Sequence, residues 1–167
     1  GYPPAEVHAV TGSILSDLVI GPPAFAQTVA GTPVFDDRER AHLVDVRSVF
    51  AGFGLLVLLG VVALIAVGLI ARGAPWYRRA IGWGAVVLVG AVVIGAVISA
   101  FAFDQAFEAF HELFFAGGTY LFDPATDRLV QLFPIQFWEE TSLALGLVIV
   151  IVASIVAWLG LRRRAPA

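Results

Sequence analysis

Three long runs without a charged residue constrain this chain more than any other feature of its sequence. They lie at about 48–71, 81–103 and 142–161, and few of their residues are polar. Each is long enough to cross a hydrocarbon core of about 30 Å, which takes roughly 20 helical residues. A core helix of a soluble protein is the alternative, but such a helix normally keeps a polar stripe. The sequence therefore predicts an all-α membrane protein, a transmembrane helix bundle with three spans.

The arginines indicate which side of the membrane each connecting segment occupies. Segments 72–80 and 162–167 carry six arginines and no acidic residue, whereas all thirteen Asp and Glu residues lie in 1–47 and 104–141. Short arginine-rich segments stay in the cytoplasm. We therefore expect a multi-pass protein of the bacterial inner (cell) membrane. Its loop 72–80 and tail 162–167 are cytoplasmic, and 1–47 and 104–141 lie on the extracytoplasmic face.

The N-terminal segment begins outside the membrane without a signal peptide, and the chain has no methionine, even at position 1. We expect an upstream transmembrane helix, which would make four spans in all; a long extracytoplasmic tail is the alternative. Within this segment a short helix is expected over 10–19, ended by the Gly-Pro-Pro sequence at 21–23. Another should open at Asp36-Asp37, because acids favour the positive end of the helix dipole. It should continue into the first span.

The second extracytoplasmic segment, 104–141, is expected to form a small cap. The second span should continue outward as an amphipathic helix to about Ala116, where Gly117-Gly118 stops it. The sequence 123–128 is typical of a turn, and it separates two short apolar runs at 119–122 and 129–133. We therefore expect a small β-hairpin over these residues.

Two histidines lie at matching heights on the outer side. His42 precedes the first span by six residues, and His111 follows the second by eight. Histidine titrates near neutral pH, which suits proton transfer. His8 lies in a proline-rich stretch with no carboxylate three or four residues away, and we expect it to be incidental.

Carboxylates accompany both histidines at helical spacing. Those near His42 are Glu39 and Asp45, and those near His111 are Glu108 and Asp104. A carboxylate that binds one ring nitrogen would fix the tautomer and leave the other nitrogen as a base. The alternative is that these are solvated side chains that form weak pairs along a helix.

The same groups allow a metal site as a further alternative. His42, His111, Glu108 and Asp104 would supply imidazole and carboxylate ligands to it. The sequence contains no HExxH motif, and we expect neither a metal nor a cofactor.

Three cations of the outer segments, Arg40, Arg47 and Arg128, lie close to the spans. They are candidates to hold a lipid ester or its developing oxyanion, or simply to pair with nearby acids. The absence of cysteine removes thiol chemistry, and no GxSxG motif supports a serine nucleophile. Nucleic-acid binding is excluded, because the arginine clusters are short membrane-flanking anchors.

The run 38–47, Arg-Glu-Arg-Ala-His-Leu-Val-Asp-Val-Arg, resembles the E-R-x-H-x-x-D-V-[KR] signature of a family of small bacterial integral membrane proteins. A second signature of that family is similar to Phe-His-Glu-Leu-Phe-Phe at 110–115, Phe-Asp-Pro at 122–124, Asp-Arg-Leu at 127–129, Leu-Phe-Pro at 132–134 and Phe-Trp at 137–138. This is the family that contains the lipoprotein intramolecular transacylase, Lit. The likeness runs in order over about residues 10–160.

The resemblance implies a four-helix bundle with an extracytoplasmic cap, of which this chain lacks the first helix. It implies an acyltransferase that moves the sn-2 acyl chain of a diacylglyceryl-cysteine to the α-amino group of that cysteine, giving a lyso-form lipoprotein. The family's two functional histidines fall on His42 and His111. The implied partners are the diacylated N-terminus of a lipoprotein and membrane lipid.

The expected mechanism needs no cofactor. His111 would take the proton of the amine as general base, and His42 or the same imidazolium would protonate the leaving glycerol oxygen. Asp45, Glu108 and Asp104 would orient the imidazoles. Competing functions are a non-enzymatic membrane protein that binds lipid or assists assembly, and a metal-dependent membrane hydrolase.

Overall fold

The computed structural model describes residues 4–22 and 24–162. The elements in chain order are α1 (Pro4–Val19), β1 (Thr28–Val29), β2 (Thr32–Pro33), α2 (Asp37–Ala71), α3 (Pro75–Phe114), α4 (Arg128–Leu132) and α5 (Ile135–Leu161). In the described part of the chain, α2, α3 and α5 are the three helices long and apolar enough to cross a membrane. The predicted all-α membrane fold with three spans is therefore confirmed.

The start of α2 follows from a reciprocal pair of hydrogen bonds. The Asp36 carboxylate accepts from the Glu39 backbone N–H at 2.8 Å, and the Glu39 carboxylate accepts from the Asp36 N–H at 2.9 Å. This is a capping box, in which two otherwise unpaired backbone donors are satisfied. As expected, α2 begins beside the paired acids and continues without a break through the first apolar run.

Two compact units divide the chain. One contains residues 1–58 and 107–136, and the other contains 59–106 and 137–167. In the second unit, α3 and α5 come into close backbone contact at Gly82 and Gly160. The small side chains Ala85, Ala153 and Ala157 form a buried cluster there. Small residues let helices approach closely in lipid, where dispersion contacts replace the hydrophobic effect.

In the first unit, α1 has the expected end but begins at Pro4, six residues before the helix predicted over 10–19. Strands β1 and β2 follow as a short antiparallel hairpin. Its turn uses Ala30 and Gly31, which both have positive φ (50° and 79°). Such a turn matches the twist of the paired strands.

The β-hairpin predicted over 119–133 is wrong. Residues 119–127 form turns and irregular backbone, and α4 follows at Arg128–Leu132. The reason is the spacing of the buried residues: Leu129 and Phe133, four positions apart, are 8% and 6% exposed. That spacing places both side chains on one face of a helix.

α3 departs from a regular helix in its second half. Ala102 has non-helical dihedrals (φ −148°, ψ 40°), so α3 is interrupted where the span was expected to continue outward as a regular helix. Of the predicted tail 162–167, only Arg162 is described; Arg163, Arg164 and the last three residues lie outside the described residues. The orientation inferred from the arginines stays a prediction.

Candidate active site

His42 lies in the second turn of α2, before the apolar run at 48–71. Its side chain is 5% exposed. Two phenylalanines from beyond the end of α3 cover it: the ring centroid of Phe115 lies 4.8 Å away and that of Phe122 lies 5.4 Å away. Both covering residues belong to the same compact unit as His42. His42 therefore sits in an aromatic setting rather than in water.

The structure brings the two histidines together. The ring of His111, near the end of α3, stacks on that of His42, with centroids 6.0 Å apart and planes inclined by 23°. His111 is partly exposed. Its other neighbours include Phe107, at 4.2 Å between ring centroids, and Tyr120, at 5.3 Å. One imidazole is therefore accessible, and the other lies buried behind it.

The tautomer of His111 follows from its hydrogen bond. Nδ1 lies 2.7 Å from the backbone carbonyl oxygen of Phe107. A carbonyl oxygen only accepts, so Nδ1 carries the proton and donates it. In the neutral ring, Nε2 is then the unprotonated nitrogen and is able to accept a proton. Geometry thus gives His111 the form required of a base.

His42 is held in its neutral form. The pKa of His42 is lowered from its ordinary 6.5 to about 4. Burial is the largest cause, the nearby His111 also lowers the pKa, and Asp45 acts in the opposite direction. Burial acts this way because a low dielectric disfavours the charged imidazolium. The buried Nδ1 of His42 has no hydrogen-bond partner among the residues the structure describes. It is a polar atom left available beside the accessible ring of His111.

The four carboxylates named near the histidines lie in different surroundings. Glu39 is 3% exposed, and its two oxygens accept backbone N–H groups of Asp36 and Leu129, at 2.9 and 2.7 Å. Asp45 is exposed and acts on His42 through its charge. Glu108 and Asp104 are exposed, and neither forms a hydrogen bond or ion pair with another described residue. No carboxylate therefore hydrogen-bonds either ring within the described residues.

The three candidate arginines donate hydrogen bonds away from the histidine rings. Arg40 pairs with Asp37, and Arg47 donates to the backbone oxygen of Asp17. Arg128 donates to the side-chain oxygen of Gln131 at 2.8 Å. To stabilise an oxyanion, an arginine of this set would have to give up its present hydrogen bond and donate to the oxyanion instead.

Sequence reasoning missed two residues that shape the site. Arg38 and Asp127 form an ion pair of 2.8 Å, and Asp127 is 9% exposed. Both stand inside the runs that carry the family resemblance. Their contact joins positions 89 apart in sequence, and no spacing rule predicts such a pair.

The alternative metal site is not assembled. Among residues 4–22 and 24–162 there is no group of three or more His, Cys, Asp or Glu side chains placed to hold a metal ion. The two histidines meet, but the carboxylates named for that site do not join them.

Comparison with known proteins gives one family. The model of that family, described as "Lipoprotein intramolecular transacylase Lit", matches residues 23–138. The matched stretch contains both histidines, Glu39 and the Arg38–Asp127 pair. Neither the curated proteins nor the solved structures give a significant match.

Proposed function

Because the chain belongs to the lipoprotein intramolecular transacylase (Lit) family, we propose that it transfers an acyl chain within the N-terminal residue of a bacterial lipoprotein. The substrate carries a diacylglyceryl group on its cysteine sulfur and a free α-amino group. The sn-2 acyl chain moves from the glycerol oxygen to the amine. The product is a lyso-form lipoprotein with an amide at its N-terminus.

One observation carries this proposal: two imidazoles from separate helices are stacked 6.0 Å apart, and only the outer one is partly exposed. The extracytoplasmic face inferred from the arginines is where the N-terminus of a lipoprotein is anchored. The apolar runs of α2 and α3 adjoin the two histidines, so the site would lie near the depth of a lipid ester.

In the proposed mechanism His111 is the general base. The α-amine has a pKa of about 8 and must be neutral to attack an ester. Its nitrogen attacks the ester carbonyl carbon while Nε2 of His111 takes the proton, and a C–N bond forms. The tetrahedral carbon then breaks its bond to the glycerol oxygen, which receives the proton from the His111 imidazolium. One proton passes from the amine to the glycerol oxygen through His111, which returns to its starting form, so no acyl-enzyme and no co-reactant are needed.

His42 acts as a neutral partner in this cycle. The buried ring and the repulsion between two imidazolium charges favour a single proton on the pair, carried by His111. Since amine and ester belong to one molecule, holding them together supplies much of the acceleration. The exposed Asp45 and the arginines Arg40, Arg47 and Arg128 remain proposed supporting groups at the rim.

The test uses bacterial cells whose lipoproteins otherwise keep a free α-amine. Substrate and product are isomers of equal mass, so tandem mass spectrometry must locate the acyl chain on nitrogen or oxygen. Cells with the wild-type protein should yield the N-acylated lyso form. His111→Ala should reduce its rate of formation by roughly 10²–10⁴, the usual contribution of a general base.

The matched control is His8→Ala, which changes an exposed histidine of α1 and should retain activity. Each variant is checked for equal abundance in the membrane fraction. If wild-type cells contain only O-acylated peptides, the transacylase proposal is wrong. If His111→Ala forms the product at the wild-type rate, His111 is not the general base.

A further inference from the structure

Two adjacent residues at the start of α2 bind the segment 121–129, defined here as the roof. Arg38 donates to the backbone oxygen of Leu121 at 3.2 Å and to the Asp127 carboxylate at 2.8 Å. Glu39 accepts the backbone N–H of Leu129 at 2.7 Å. Both ends of the roof are therefore tied to a single turn of α2, the turn that precedes His42.

Phe122 of the roof contacts both Arg38 and His42. The guanidinium carbon of Arg38 is 4.8 Å from the centroid of the Phe122 ring, and the ring of His42 is 5.4 Å from the same centroid. A planar guanidinium stacks favourably on an aromatic face. Arg38 thus holds the ring that also packs against His42.

The roof also has internal bonds that make it a defined structure. The carboxylate of Asp127, which binds Arg38, also accepts the backbone N–H of Asp123 at 2.6 Å. The carboxylate of Asp123 in turn accepts the backbone N–H of Ala125 at 2.8 Å, which closes the turn. Asp127 therefore joins the fold of the roof to its attachment on α2.

We propose that Arg38 and Glu39 are positioning residues for acyl transfer, which hold the roof so that Phe122 covers His42. The inference rests on the proposed function. Neither residue hydrogen-bonds a ring nitrogen of the histidine pair among the described contacts. Arg38 holds Phe122, whose ring contacts His42, and Glu39 holds the backbone of Leu129 at the other end of the roof. Their role is to keep His42 out of water behind the accessible ring of His111.

The charges around His42 make the effect of the roof measurable. His111 faces it from α3, and Asp45 lies beside it on α2. The charge of Arg38 is balanced by Asp127, and that of Glu39 is taken up by two backbone N–H groups. Removing the cover without changing any charge should admit water and raise the pKa of His42.

Two variants keep the charges and disturb the cover. Arg38→Lys retains the cation but loses the planar fork that binds Leu121, Asp127 and the Phe122 ring together. Phe122→Ala removes the ring and leaves Arg38 and Glu39 intact. Asp37→Asn is the matched control, because Asp37 also pairs with an arginine of the same turn but is 94% exposed.

The first measurement is nuclear magnetic resonance of the full chain, labelled in its three histidines and kept in a mild detergent. His42 should titrate near its lowered pKa of about 4 in the wild type and in Asp37→Asn. In Arg38→Lys and Phe122→Ala its midpoint should rise by about one unit or more toward 6.5.

The second measurement is the rate of acyl transfer over a range of substrate concentrations, which gives kcat and KM. Both roof variants should lower kcat by about tenfold to a hundredfold, with a smaller change in KM, because the reacting groups lose their alignment. Glu39→Asp, whose shorter side chain no longer reaches the N–H of Leu129, should lower kcat to a similar extent. The proposal is overturned if the His42 midpoint is the same in Phe122→Ala as in the wild type. It is also overturned if kcat is unchanged in every roof variant.

These outcomes are separate from failure of the proposed function. The titration of His42 does not depend on catalysis, so it reports on the roof even if no acyl transfer is found. If Arg38→Lys fails to accumulate in the membrane, Phe122→Ala decides, because it leaves all three hydrogen bonds between α2 and the roof in place.

Discussion

Nδ1 of His111 and the backbone oxygen of Phe107 lie 2.7 Å apart, one turn from each other on the same helix. The group that sets the tautomer of His111 is therefore part of the main chain. A side-chain substitution at position 107 or at a nearby acid leaves that oxygen in place. The sequence had suggested a carboxylate for this task.

It follows that Glu108→Gln and Asp104→Asn should retain acyl transfer within about fivefold of the wild-type rate. Exposed carboxylates without a bonded partner contribute roughly 0–1 kcal/mol to an interaction with a nearby charge. The rate is measured by tandem mass spectrometry of the N-terminal peptide, with the double variant alongside. A loss of a hundredfold in either variant, at equal membrane abundance, would instead assign the orientation of His111 to that carboxylate.

The lowered pKa of His42 should make the folded state sensitive to acid. Between pH 6.5 and about 4, the unfolded chain binds a proton at His42 and the folded chain does not. Stability therefore rises with pH in this window and is lost as the pH falls through it. The unfolding temperature in mild detergent should drop from pH 7 to pH 4.5, and more steeply in the wild type than in His42→Phe.

The comparison with His42→Phe removes the contribution of the carboxylates, which both proteins share. An apolar ring suits a site already lined by Phe115 and Phe122. If the two proteins lose stability in parallel over this range, His42 is not buried in its neutral form.

Sequence reasoning located the spans because a membrane imposes one simple rule. A run of 20 or more residues without a charge has few alternatives to a spanning helix. It likewise located the start of α2, since Asp36 and Glu39 carry a local capping pattern. Local rules sufficed wherever the determining contacts were local.

The roof could not be predicted in this way. Its apolar residues show no clear helical or strand period. The turn at 123–128 is as compatible with a β-hairpin as with the observed turn and short helix. What decides the structure is a set of long-range bonds from Arg38 and Glu39, on a helix about 90 residues away in sequence. The pairing of His42 with His111 was expected from matching heights, but burial of one ring and exposure of the other needed the structure.

Glu39 should contribute strongly to stability, since both oxygens of its buried carboxylate are occupied by backbone donors. Glu39→Gln keeps one acceptor and turns an amide N–H₂ toward the second donor. Leaving a buried N–H unpaired costs about 1–3 kcal/mol. We expect a loss of that size in the free energy of unfolding, measured by circular dichroism in detergent.

The control for this substitution is Glu140→Gln, the same chemical change at an exposed carboxylate of α5. It should leave the free energy of unfolding nearly unchanged. Equal effects of the two substitutions would mean that Glu39 does not tie α2 to the backbone of Leu129.

A close backbone contact between α3 and α5 in the second unit gives the last prediction. A Cβ at Gly160 would lie 2.7 Å from Cα of Gly82 and 2.8 Å from the backbone oxygen of Arg78. Both neighbours are main-chain atoms, so no rotamer change relieves the overlap and α3 and α5 must separate. Gly160→Ala should destabilise the protein by about 1–3 kcal/mol, as overpacking of a tight contact does. Gly84→Ala, where a Cβ meets nothing within 4 Å, should be neutral in the same unfolding assay. Equal stability of the two variants would show that α3 and α5 do not meet at this pair.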